Sequence, residues 1–171
     1  MKTLLKLMLL SMPILLFNCS KSDDDGGGSG GEAQATATIN RNGTNQNFNA
    51  TNFSGFYDAN RITLNFSEYN SSTTETVSFL LNLARSESEV SGATYTIGDS
   101  HNGQVTYASI QFTDTAELFT SVDGSITIDS FDSGSVENTL LLSGSFDIEL
   151  QREGVTVTTT GHFDNLPIPI N

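Results

Sequence analysis

Cys19 is the only thiol in the 171-residue chain. A single cysteine cannot close an internal disulfide, and as a thiolate it is a nucleophile whose position has to explain it. The rest of the catalytic inventory is thin. His101 and His162 are the two histidines, and every lysine (Lys2, Lys6, Lys21) lies near the N-terminus. Acyl or glycosyl transfer needs a nucleophile held against an oriented base, and no such set is legible, so no catalytic residue is assigned and the chain is expected not to be an enzyme. Gly27-Gly28-Ser29-Gly30-Gly31 matches Gly-x-Ser-x-Gly letter for letter. That motif works on a strained strand-to-helix elbow, which a glycine-rich run does not supply.

Metal chemistry is equally sparse. Asp99 and His101 are two potential ligands, whereas zinc takes four, or three plus water. Asp123, Asp129 and Asp132 offer the oxygen donors that calcium prefers, but they lack the Asp-x-Asp-x-Asp-Gly spacing of a calcium loop. Solvated turns are the plainer reading of these aspartates, and no resident cofactor is expected.

The elements that must position these groups are strands. From Ala33 onward, short runs rich in Thr, Val, Ile and Phe alternate with Gly, Asn, Asp and Ser clusters, and no 3.6-residue stripe is sustained. Asn42-Gly43 reads as a tight hairpin turn between Ala35–Ile39 and Gln46–Ala50. Ile62, Leu64 and Phe66 share one face of a strand, and Val77, Phe79, Leu81 and Leu83 one face of the next. Tyr95 and Ile97 precede a loop over 98–103. After it, Val105 and Tyr107 stand in one phase and Ile110 and Phe112 in the other, which predicts a bulge near Ala108-Ser109.

The last hairpin is the most specific. Leu140, Leu142, Gly144, Phe146, Ile148 and Leu150 alternate with Ser143, Ser145, Asp147 and Glu149, so one face is buried and one wet. A two-residue turn at Glu153-Gly154 would pair Leu150 with Val157, Ile148 with Thr159, Phe146 with Gly161 and Gly144 with Phe163. Each glycine would then face a ring able to cover it. His162 would project beside Ser145, diagonal to Asp147, where a carboxylate favours its charged form. Asn165–Pro169 is expected to end the sheet, because proline cannot donate to a ladder. The pattern is all-β, an antiparallel β-sandwich or flattened barrel of about ten strands, with the sandwich slightly preferred.

Charge narrows the partners. The formal net charge is −13, and beyond residue 31 the cations are Arg41, Arg61, Arg85 and Arg152, against all but three of the 20 carboxylates. Such a surface repels phosphate backbones, so nucleic acid is disfavoured.

The N-terminus carries the address. Met1-Lys2-Thr3-Leu4-Leu5-Lys6 is followed by an apolar run from Leu7 to Phe17, interrupted by Ser11 and Pro13. A basic start and about a dozen apolar residues fit a signal peptide; a membrane span needs roughly 20. The run ends in Leu16-Phe17-Asn18-Cys19, which resembles the lipobox of bacterial lipoproteins. That resemblance implies cleavage before Cys19, a covalent lipid on its sulfur and a membrane anchor. Ser20-Lys21-Ser22-Asp23-Asp24-Asp25 resembles the acidic export signal of surface lipoproteins of the Bacteroidota. It implies an outer-membrane address, with the cell exterior as the further expectation.

Residues 1–18 are thus read as a signal peptide, 19–31 as lipidated cysteine and flexible tether, and 32–171 as one all-β domain. The layout of Gly92–Gly98, Gly144-Ser145-Phe146 and Gly161-His162-Phe163 is similar to uncharacterised small β-domain lipoproteins of the Bacteroidota, a resemblance that brings no activity. Asp114-Thr115-Ala116 resembles the O-glycosylation acceptor of that phylum, which implies Thr115 as a modification site.

Three functions remain open. The leading expectation is a non-catalytic domain that contacts an envelope protein or a glycan. Protein ranks above glycan because sugars stack on aromatic platforms, and the chain has no Trp and only Tyr57, Tyr69, Tyr95 and Tyr107. The second is a β-barrel carrier of a small apolar ligand, its cavity lined by some of the 11 phenylalanines. A hydrolase stands last.

Overall fold

A computed structural model describes residues 32–70, 75–85, 91–134 and 137–170. The signal segment, Cys19 and the tether lie outside the described residues.

All elements among the described residues are strands. β1 (Gln34–Arg41) and β2 (Thr44–Asn49) form a hairpin through Asn42-Gly43. Positive φ values of 54° and 77° at those two residues give the turn whose twist matches the strands it joins. β3 (Asn52–Tyr57), β4 (Arg61–Asn70) and β5 (Glu75–Ala84) follow as a meander. β6 (Ala93–Thr96) precedes a small ribbon of β7 (Ser100–His101) and β8 (Gln104–Val105). β9 (Tyr107–Phe112), β10 (Glu117–Ser133), β11 (Thr139–Arg152) and β12 (Val155–Pro169) complete the chain.

Ten strands make one antiparallel sheet in the order β2-β1-β12-β11-β10-β9-β5-β4-β3, with β6 also paired to β10. The two edge strands are consecutive in sequence, and their link explains the curl. Ala50 donates its N–H to Ala35 O on β1 (2.9 Å), whereas Thr51 donates to Ser67 O on β4 (2.8 Å). The chain therefore changes partners at this corner and draws the two edges together. Of the sandwich and the flattened barrel that the sequence allows, the protein is nearer the barrel: one antiparallel sheet curled into a half-barrel, in place of the slightly preferred sandwich.

The C-terminal hairpin has the expected register, from Leu150 opposite Val157 to Gly144 opposite Phe163. Its glycines are required by close approach. A Cβ on Gly144 would sit 2.7 Å from the ring of Phe163 and would also strike the carbonyl of Thr127. Gly144→Ala is expected to cost about 1–3 kcal/mol by overpacking, measured as a lower urea midpoint with an unchanged slope.

Two expectations are corrected. The β5–β9 ladder runs from Val77 opposite Phe112 to Asn82 opposite Tyr107 without a shift, so there is no bulge at Ala108-Ser109. Val105 and Tyr107 point outward, and the inward phase belongs to Thr106, Ala108, Ile110 and Phe112. Thr106 tolerates burial because its hydroxyl accepts the N–H of Ala84 (3.1 Å). Bulges occur instead in β10, at Ser121/Asp123 and Ile128/Ser130, and in the β11–β12 ladder at Leu142/Gly144.

The prolines do not end the sheet: Pro167 lies opposite Leu141 and Pro169 opposite Thr139. Ile170 donates to Asn138 O (2.9 Å), so by alternation the nitrogens of Pro167 and Pro169 face away from β11. That side is past the end of β1, whose pairing with β12 stops at Gln34 and Asp164, so no donor is missed.

Candidate interaction faces

The concave side of the sheet is filled. Phe66 lies with its ring centroid 5.5 Å from Phe79, 6.0 Å from Phe146, 6.3 Å from Phe48 and 6.4 Å from Phe163. All five rings are buried, among Ile39, Ile62, Leu64, Leu81 and Ile148. Rings at these separations gain dispersion and quadrupole attraction beyond the area they bury. The two ends are covered by cations on aromatics. At the end carrying the Asn42-Gly43 and Glu153-Gly154 turns, the Arg41 guanidinium lies 4.9 Å from the Phe112 centroid and 5.7 Å from that of Phe119, and it pairs with Glu117. Arg152 approaches the same carboxylate at 3.6 Å. At the opposite end, Arg85 sits 3.9 Å above Tyr57, which meets Phe131 edge-on at 6.2 Å.

Open space lies on the convex side. A groove of about 670 Å³ crosses β2, β1, β12 and β11, lined by Thr36, Thr38, Asn47, Asn49, Ser145 and His162 among others. Each strand supplies every second side chain to this face, so a rank of hydroxyls and amides results. His162 stands opposite Ser145 as the register predicts. Its ring lies 3.2 Å from the Thr36 hydroxyl, and its nearest carboxylate is Asp164 at 3.9 Å, two residues along its own strand. Asp147, opposite Thr160, takes the expected diagonal position. A second depression, about 400 Å³, lies over β3–β5 between Asn52, Ser54, Asn65, Ser67 and Ser78.

The calcium candidates do not converge. Asp123, Asp129 and Asp132 all lie on β10, and six residues of strand separate the first two by roughly 20 Å. Asp123 is engaged locally, accepting the N–H of Gly124 (2.7 Å). Among the described residues no cluster of three or more metal-ligating side chains occurs. His101 is exposed on the β7–β8 ribbon, paired with Gln104. Thr115 is exposed at the tip of the β9–β10 hairpin, where its N–H donates to the Asp114 carboxylate (2.6 Å).

Beside that hairpin, Glu75 is held above the usual carboxylate range, first by burial and then by the Asp114 carboxylate; Glu68 adds to the shift and Arg41 opposes it. An acid whose folded pKa is raised binds more protons folded than unfolded, so it subtracts stability as pH rises through that window. Glu75→Gln is accordingly expected to raise the melting temperature at pH 7, with the difference shrinking below pH ~4. A gain independent of pH would show that the charge is not the cause.

Sequence reasoning missed the outward apolar residues. Val105, Tyr107, Leu118 and Val122 are exposed by 47%, 42%, 52% and 50%. The signal was present in Leu118-Phe119-Thr120-Ser121-Val122: once Phe119 takes the inward phase, Leu118 must face out.

Comparison with known protein families, curated proteins and solved structures finds no match.

Proposed function

We propose that this chain is an outer-membrane lipoprotein, anchored through Cys19, whose β-domain is a non-catalytic contact module for an envelope protein. The observation that carries this reading is the distribution of space: five aromatic rings pack together on the concave side, whereas the grooves over β3–β5, over β1, β2, β11 and β12, and over β10 and β11 are lined by outward polar side chains. A carrier needs a hollow of several hundred Å³ where Phe48, Phe66, Phe79, Phe146 and Phe163 now touch.

A protein is favoured over a glycan by the tyrosines. Tyr95 is buried and Tyr57 lies under Arg85, which leaves Tyr69 and Tyr107 exposed. Tyr69 is level with Thr76 and Tyr107 with Asn82, so about 20 Å of strand separates them and one sugar cannot stack on both.

The direction of β1 supports the anchor. The chain enters at Gln34 and runs toward Asn42-Gly43, so a tether before residue 32 would leave from the end opposite the Asn42-Gly43, Thr115 and Glu153-Gly154 tips. Those tips would then face away from the membrane. Residues 32–171 screened against a glycan array and against solubilised envelope proteins should retain protein; silence against both would overturn the reading.

A further inference from the structure

We infer that the outer face of β9 and β10, centred on Leu118, Val122 and Tyr107, docks a protein partner whose contact patch sets apolar side chains among Lys and Arg. The inference rests on the contact-module reading and names where the contact is made and with what chemistry.

Seven large apolar side chains are exposed among the described residues: Tyr69, Val105, Tyr107, Leu118, Val122, Val155 and Ile170. Four of them fall on this face. Leu118 lies opposite Gln111 and Thr120 opposite Ser109, where the ladder ends two residues from Tyr107, and Val122 follows at the β10 bulge. The N–H of Ala108, donated to Ser121 Oγ at 2.8 Å, holds the two strands together at this level. Val105 shares the outward phase of Tyr107, two residues along. Its carbonyl accepts from Asn82 Nδ2 (2.8 Å), and Asn82 Oδ1 accepts from the Thr63 hydroxyl (3.1 Å). The buried amide therefore pins the β8 end of the patch to β5 and β4, so the apolar stripe is held in shape before anything binds. A preformed stripe loses little conformational entropy on docking.

Charge selects the occupant. Asp123 follows Val122 directly and faces Glu149, and Asp147 faces Ser125 one step further. These three carboxylates line a hollow of about 300 Å³ beside the stripe. No arginine among the described residues pairs with them: Arg41 and Arg152 are drawn to Glu117, Arg61 lies against Asp58, and Arg85 covers Tyr57. A second copy would bring the same carboxylates and a formal charge of −13 to meet its own. Like-charge contact opposes that pairing, whereas a basic rim around an apolar centre is complementary and is steered in. Anionic lipid headgroups are repelled for the same reason.

The test uses the full chain in its native envelope, with p-benzoylphenylalanine placed at Leu118, at Val122 and, as a remote control, at exposed Asn47 on β2, four strands away from β10 in the sheet. Light should give a discrete protein adduct from Leu118 and Val122, with the cross-linked peptide of the acceptor carrying Lys or Arg beside apolar residues. Asp123→Lys with Asp147→Lys, both exposed, should reduce the adduct by about tenfold, as for rim charges that steer association, while the purified variant keeps its melting temperature. Adducts to a second copy, adducts to lipid or glycan alone, or an adduct that survives the charge reversal would overturn the inference. A protein adduct from Asn47 alone would leave the contact module standing and remove this surface. No protein adduct from any position would remove both.

Discussion

Phe66→Ala is expected to destabilise the domain by about 3–5 kcal/mol, the range for deleting a fully buried ring that its neighbours cannot collapse onto. Phe66 is the hub of the filled side, packed against Phe48, Phe79, Phe146 and Phe163. Those rings come from β2, β5, β11 and β12, strands whose backbones are fixed by their own ladders, so the vacated volume would stay largely open. For a domain of this size the loss corresponds to a fall in melting temperature on the order of 10 °C. Phe66→Leu should recover most of it. Urea denaturation followed by far-UV circular dichroism measures both. A loss below ~1 kcal/mol would mean that the rings do not fill the interior tightly, and the case against a carrier would go with it.

The register of the last hairpin was legible in the sequence because two local signals agree there. Glu153-Gly154 accepts the positive φ of a two-residue turn, and the alternation of Leu142, Gly144, Phe146, Ile148 and Leu150 admits one phase only. The Asn42-Gly43 hairpin was legible for the same reason. What stayed hidden depends on partners far away in sequence. The Leu142/Gly144 bulge turns on Asn165, whose φ is 51° and whose N–H donates to Ser143 Oγ (3.0 Å), and β12 accommodates Pro167 and Pro169 beyond the point where β1 ends at Gln34, more than a hundred residues earlier. The outward course of Val105 and Tyr107 follows from Thr106 meeting Ala84. Period-2 alternation assigns side chains to two faces, but it does not say which face is covered, so Val105 and Tyr107 read as core until β9 is laid against β5. The polar groove under His162 was half legible: Ser145 was placed beside it, and Thr36 and Asn49 arrive only through the β1–β12 and β1–β2 pairings.

Cys19→Ala should move the protein from the membrane pellet to the soluble fraction, and this is the largest functional effect expected of any single substitution. On the proposed reading the apolar run before Cys19 is removed once the cysteine is lipidated, and the lipid is then what attaches the mature chain. Each methylene of an attached acyl chain contributes about 0.8 kcal/mol on burial, and a second chain turns reversible binding into a stable anchor. No helix among the described residues is long and apolar enough to cross a membrane. Of the large apolar side chains exposed among the described residues, Tyr69, Val155 and Ile170 stand apart from the Leu118 stripe, and the carboxylate border of that stripe disfavours anionic lipid. Replacing Asp23, Asp24 and Asp25 together by alanine should leave the protein in the pellet but shield it from protease added to intact cells. The pair of variants separates attachment from address: on the proposed reading the sulfur serves the first and the aspartates the second. A Cys19→Ala protein that stays in the pellet after an alkaline carbonate wash, with mass spectrometry showing residues 1–18 removed, would refute the anchor, and with it the orientation that points the hairpin tips outward.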